Sequence, residues 1–264
     1  MIDPSDKKTA ILVASFGTSY GGSRSVTIGA IESTVAECFP GCEVRRAFTS
    51  NTIRRILKNR DGVLVDSVPE ALNRLAAEGF ENVIVQPTHF MPGIEYDIIK
   101  SDISLFAGRF KNLRIGRTLL ETEADVEEFM DILCGIAAPW RDGSTAMVFM
   151  GHGTDHSANE LYERLQKAAD KRANDIFIGT VEATPGIADI LKAVKKTAAK
   201  RVVLSPLMIV AGDHATNDMA GDDDNSWKNV FKDAGYEVVC RITGLGSEYG
   251  VQKMIAGHCR QAML

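Results

Sequence analysis

Short apolar runs of strand length alternate with stretches of helical period along the whole chain. Four such runs, 9–15, 43–48, 82–87 and 113–116, come first, and a second four follow at 145–150, 175–181, 201–205 and 236–242. The segments between them are amphipathic: in 160–169, for example, Leu161, Leu165, Ala168 and Ala169 recur three and four apart on one helical face. Strand, helix, strand in this order predicts an α/β protein with parallel sheets covered by helices.

The two sets of runs also resemble each other in their polar punctuation. Phe16-Gly17-Thr18 after the first run answers to His152-Gly153-Thr154 after the fifth. Val68-Pro69 opens a helical stretch leading to the run that ends in Pro87, and Thr184-Pro185 opens one leading to the run that ends in Pro206. Glu95 then lies as far past Pro87 as His214 lies past Pro206, so the carboxylate stands where the imidazole stands. This repetition predicts two Rossmann-like halves related by internal duplication. The expected boundaries are 1–122 for the first half, 123–144 for a crossover helix and linker, 145–246 for the second half with a metal site, and 247–264 for a terminal helix packing back on the first half.

Composition narrows the partners. With 30 basic against 35 acidic side chains and a formal charge of −5, the chain has no electrostatic footprint for nucleic acid or an anionic membrane, and an anionic ligand must meet a local basic patch. No run approaches the length of a membrane span. The polar first eight residues are followed by an apolar run too short for a signal sequence, so a cytoplasmic protein is expected unless an export signal was trimmed. Cys38, Cys42, Cys134, Cys240 and Cys259 are odd in number and scattered, without metal-binding spacing, and read as reduced core thiols. A homo-oligomer is compatible with this composition.

In parallel α/β sheets ligands bind beyond the carboxyl ends of the strands. Those ends hold four of the five histidines: His89, His152, His156 and His214. His152, between two glycines, is left facing outward; His214 follows Gly212-Asp213 in the equivalent place one strand away; Glu182 closes the run at 175–181. Two imidazoles and a carboxylate from three strand ends suit a borderline ion such as Co²⁺, Fe²⁺, Ni²⁺ or Zn²⁺. Each residue also has a plain reading: His152 as a hydrogen-bonded turn residue, Glu182 as a helix N-terminal carboxylate, His214 as a capping or hydrogen-bonding loop residue. His156 reads as the start of a helix and His258 as structural. Arg45, Arg46, Arg54 and Arg55 form a basic cluster that either is a solvated face or holds ligand carboxylates through forked hydrogen bonds.

The motifs Ala14-Ser15-Phe16-Gly17-Thr18-Ser19, Met150-Gly151-His152-Gly153, Gly179-Thr180-Val181-Glu182 and the block from Pro206 through Gly212-Asp213-His214-Ala215-Thr216-Asn217-Asp218-Met219 to Ser226-Trp227-Lys228 resemble the anaerobic, CbiK-type cobaltochelatases of the class II, ferrochelatase-like superfamily. The resemblance implies the chelatase fold and insertion of Co²⁺, with Fe²⁺ as a further substrate, into sirohydrochlorin or a related carboxylated tetrapyrrole, with no cofactor required. It implies His152, Glu182 and His214 as metal ligands, and Glu95 matches a family cleft carboxylate more loosely; His152, His214 and Glu95 are then the expected catalytic groups, while Ser15, Phe16 and His89 at first-half strand ends and Arg45, Arg46 and Arg54 in the basic cluster are the expected contacts to the macrocycle. From the duplication, in which Glu95 stands where His214 stands, Glu95 is expected to work on the opposite face of the ring from the histidines. The chain departs from the family at Tyr20-Gly21-Gly22-Ser23. The competing function is a non-catalytic bilobed protein that holds metal or tetrapyrrole. A nucleotide-using Rossmann enzyme is disfavoured, since no GxGxxG or GxxxxGK[ST] follows any run.

Overall fold

A computed structural model of the chain describes residue 2 and residues 8–264. The elements of its first part are β1 (Thr9–Ser15), α1 (Gly21–Val26), α2 (Ile28–Cys38), β2 (Glu43–Phe48), α3 (Asn51–Ile56), α4 (Val68–Ala77), β3 (Asn82–Pro87), α5 (Ile94–Ser104) and β4 (Asn112–Ile115). After α6 (Glu123–Ala137) follow β5 (Thr145–Gly151), α7 (Glu160–Asp170), β6 (Ile176–Thr180), α8 (Ile187–Val194), β7 (Arg201–Pro206), α9 (Trp227–Asp233), β8 (Glu237–Cys240) and α10 (Tyr249–Met263). The eight strands lie within one or two residues of the apolar runs.

Two four-stranded parallel sheets result, ordered β2-β1-β3-β4 and β6-β5-β7-β8. The two orders are the same plan, and in each the chain steps first to one side of its opening strand and then to the other. That reversal leaves diverging loops at the carboxyl ends of β1 and β3, and of β5 and β7, where such sheets bind ligands. Every residue of β1, β3 and β5 is buried, as expected of central strands covered by helices on both faces. Edge strands β2, β4 and β8 are only partly buried, which is why they tolerate Arg45, Arg46 and Arg114.

Chain contacts divide the molecule into two compact units, Met1–Glu121 with Gly246–Leu264, and Thr122–Leu245. The core of the first includes Leu12, Leu72, Val85 and Ile99, and that of the second includes Val148, Leu204, Met219 and Phe231. Local signals open the helices. Ser67 caps α4, accepting from the Glu70 amide while the Glu70 carboxylate takes the Ser67 amide at 2.7 Å, and Thr122 and Asp125 make the same reciprocal pair at α6. In the first unit α10 packs on α2, β3 and β4. Thr34 donates to the Gln252 side chain at 2.8 Å, Gln252 donates to the Gly246 carbonyl at 2.9 Å, and Arg114 reaches the Ala262 carbonyl at 3.1 Å. None of the described helices is long and apolar enough to cross a membrane.

Candidate metal centre

Sheet register brings the second unit's candidate residues together. Gly151 pairs with Thr180 and Met150 with Pro206, so β5, β6 and β7 end level and their loops leave from one edge. His152 follows β5 directly. The bracketing glycines have separate reasons: a Cβ on Gly151 would lie 2.3 Å from the Tyr162 ring, and Gly153 has φ +86° with its missing Cβ 2.8 Å from the Ala183 amide. Tyr162, on α7, anchors this turn from below by accepting the Gly153 amide at 3.3 Å. Burial pushes its phenol up, and the backbone amides of Gly153 and His152 pull it partly back.

Glu182 leaves β6 by a bend held through its own amide, which donates to the His152 carbonyl at 2.9 Å. His214 begins a single π-helical turn, Ala215–Met219, whose inner residues Ala215 and Met219 are fully buried in the core. A rigid inner face therefore sets the direction of the outer one.

One ligand atom from each of His152, Glu182 and His214 lies within 4.8 Å of the others. Glu182 is bracketed by the two rings: one oxygen is 3.5 Å from His152 Nδ1 and the other is 4.0 Å from His214 Nε2. The rings stand edge to face, with centroids 4.5 Å apart and planes at 86°. These separations exceed hydrogen bonds. Two donors bound at ~2.1 Å to one ion stand at most ~4.2 Å apart, so an ion needs only a small inward rotation of the widest pair. His152 and Glu182 are half exposed and free to make it. Nδ1 of His152 is 2.9 Å from the Gly153 carbonyl, and Nδ1 of His214 is 2.7 Å from the Asp218 carboxylate. Asp218 was given no role of its own by sequence reasoning; the available signal was its place four residues after His214.

The first unit holds the remaining candidates. Glu95 lies in the first turn of α5, half-buried, with no hydrogen bond or ion pair among the described residues. The next residue, Tyr96, is buried, donates to the Gly116 carbonyl at 3.2 Å, and has its phenol pushed up to about 12 by burial and by Glu121. Ser15 is buried at the end of β1, accepting from Thr88 at 2.9 Å, whereas Phe16 is 48% exposed. His89 keeps both ring nitrogens shielded from water, with no hydrogen-bond partner among the described residues, and this burial lowers it to about 4.

Three of the four arginines already hold carboxylates of the chain. Arg45 binds Glu43 at 2.7 Å and Glu78 at 2.8 Å, and Arg46 binds Glu32 and lies over the Phe48 ring. Arg54 binds Glu70 and the Val65 carbonyl, while Arg55 is exposed. His156 caps the short helix at Ser157–Asn159, taking the Ala158 amide at 3.0 Å, and His258 is buried in α10. None of the five cysteines forms a disulfide.

Comparison with known proteins agrees with this architecture. The family model described as cobalt chelatase (CbiK) matches residues 9–264. A sirohydrochlorin cobaltochelatase of Salmonella typhimurium is 37% identical over 256 residues, covering 97% of either chain. The sirohydrochlorin cobaltochelatase CbiKC of Nitratidesulfovibrio vulgaris is 33% identical over 258 residues, covering 97% of this chain and 91% of that one. Among solved structures, SirB from Bacillus subtilis with Fe³⁺ has a TM-score of 0.64 at 13% identity, covering 96% of this chain and 95% of its own. CbiX, the terminal enzyme for biosynthesis of siroheme in denitrifying bacteria, has a TM-score of 0.58 at 16% identity, covering 96% and 99%. At such identities the structures speak for the two-sheet fold alone. The match over nearly the whole sequence and the two relatives above 30% identity carry the assignment: this chain belongs to the cobalt chelatase (CbiK) family.

Proposed function

We propose that this protein inserts Co²⁺ into sirohydrochlorin, capturing the ion on His152, Glu182 and His214 and passing it to the ring nitrogens. The observation that carries the reading is the convergence of those three donors at neighbouring strand ends, in a chain whose relatives are named for that reaction. One dication enters the ring and two pyrrole protons leave, so charge balances without electron transfer and no redox partner is needed. Three protein ligands leave coordination positions open to the macrocycle. Imidazole and carboxylate also accept Fe²⁺, Ni²⁺ and Zn²⁺, so the donor set by itself does not choose the metal.

Glu95 is the acceptor we assign to the departing protons. Among the described residues its carboxylate has no hydrogen-bond or ion-pair partner, and it is carried on the helix after β3 just as His214 follows β7. A general base must be free to take a proton, and Glu95 meets that condition. Phe16 supplies an exposed aromatic face suited to stacking on a flat ring.

The test is turnover. With sirohydrochlorin in molar excess over protein and Co²⁺ supplied, repeated conversion of the ring absorbance to that of the metallated product is expected. Conversion that stops at one equivalent would instead mark a metal- or tetrapyrrole-binding protein. His152→Ala and His214→Ala should each nearly abolish the initial rate with little change in thermal midpoint, because neither ring is packed in the core. Near-native turnover in either variant removes that histidine from the site.

A further inference from the structure

We infer that Asp218 is a positioning residue that locks His214 in the tautomer carrying its proton on Nδ1, leaving the Nε2 lone pair for the ion. This inference rests on the metal-capturing role proposed for His214. Its observation is the 2.7 Å contact between His214 Nδ1 and Asp218 Oδ2, with Nε2 on the side of Glu182 at 4.0 Å. An ionised carboxylate only accepts, so the ring nitrogen facing it must donate. That leaves Nε2 as the acceptor, and fixing the first nitrogen also fixes the rotation of the ring.

The π-helical turn places Asp218 there. Ala215 and Met219 are its buried inner residues, and the outer residues are tied back to the chain: Asn217 donates to the Asp213 carboxylate at 2.9 Å and Thr216 to the Asp213 carbonyl at 3.0 Å. The Gly221 amide donates to the Asn217 carbonyl at 2.9 Å, and a Cβ on Gly221 would come within 2.3 Å of that oxygen. The turn is thus followed by a glycine where nothing larger fits, and the half-exposed carboxylate four residues past His214 is held against the ring by its 2.7 Å contact. His152 differs: the acceptor at its Nδ1 is a backbone carbonyl that side-chain substitution cannot remove. His214 is the ligand whose orientation is open to mutation, and Asp218 is the residue that sets it.

The experiment compares the full chain with Asp218→Ala and Asp218→Asn. Imidazole ¹⁵N–¹H correlation spectra without metal report the His214 tautomer, titration with Co²⁺ alone reports affinity, and steady-state rates give separate KM values for Co²⁺ and sirohydrochlorin. Wild type should carry its proton on Nδ1. Asp218→Ala should shift His214 toward the Nε2–H form and weaken Co²⁺ binding roughly 10- to 100-fold, with KM for sirohydrochlorin unchanged. Asp218→Asn keeps the shape but presents either oxygen or NH₂, so a mixture of tautomers and a smaller loss are expected. It also serves if the alanine variant folds poorly. An Nε2–H ring in wild type, or unaltered tautomer and Co²⁺ affinity in both variants, overturns the inference. Absence of Co²⁺ binding by wild type with the Nδ1–H tautomer present would instead overturn the metal-capturing role of His214, so the two failures are distinguishable.

Discussion

His89 is a histidine whose burial shifts its protonation. With both nitrogens shielded and no hydrogen-bond partner among the described residues, the ring refuses a proton until about pH 4, against an ordinary value near 6.5. Above pH 6.5 the ring is neutral in both folded and unfolded chains and costs nothing. Below it the unfolded chain takes up a proton that the folded one does not. Stability is therefore lost as pH falls from about 6.5 to about 4, by up to roughly 3 kcal/mol. Thermal midpoints measured across that window should fall more steeply for wild type than for His89→Phe, and parallel curves would show that the ring does not stay neutral when folded. Sequence reasoning placed His89 at a strand end and offered it as a macrocycle contact. Its shielding depends on what packs over the loop, which no spacing along the chain encodes.

At the scale of elements, strand ends do the positioning and turns do the aiming. The carboxyl ends of β5, β6 and β7 are level through hydrogen-bond register, and the π-helical turn after β7 orients His214 and Asp218 together. The basic cluster belongs to the same scale. Arg54, on α3, joins Glu70 at the start of α4, the Val65 carbonyl and Asn51 at 3.0 Å, tying the intervening loop to both helices. With its partner half exposed, the pair contributes about 1 kcal/mol or less. Arg54→Ala is expected to lower the thermal midpoint slightly while leaving KM for sirohydrochlorin and its salt dependence as they are. A rise in KM that vanishes at high salt would mean that Arg54 exchanges Glu70 for a carboxylate of the substrate. The cluster was visible as four arginines close in sequence. Its internal partners Glu32, Glu70 and Glu78 come from other elements and could be found only once the chain was folded.

For the whole molecule, the last helix returns to the first unit. Val251, Met254, Ile255, Cys259 and Met263 are buried there, and removing five such side chains forfeits roughly 10 kcal/mol at 1.5–3 kcal/mol each, comparable to the net stability of a domain. A chain ending at Glu248 should therefore lose the cooperative unfolding of the first unit, seen as a missing calorimetric transition and rapid proteolysis within 9–121; an unchanged melt would show that α10 is dispensable. The sequence alone determined the eight strands, the helices between them, the repeated plan and the strand-end positions of His152 and His214, because periodicity, proline and glycine act over a few neighbouring residues. Tertiary structure decided the rest. Residues 152, 182 and 214 meet within 4.8 Å because the sheet order β6-β5-β7 makes neighbours of strands that are not all consecutive. Asp218 faces His214 because the π-helical turn that buries Ala215 and Met219 brings the two outer side chains together, and Arg45, Arg46 and Arg54 are paired with carboxylates from other elements. Each of these depends on distances between segments remote in sequence, which only the packed chain sets.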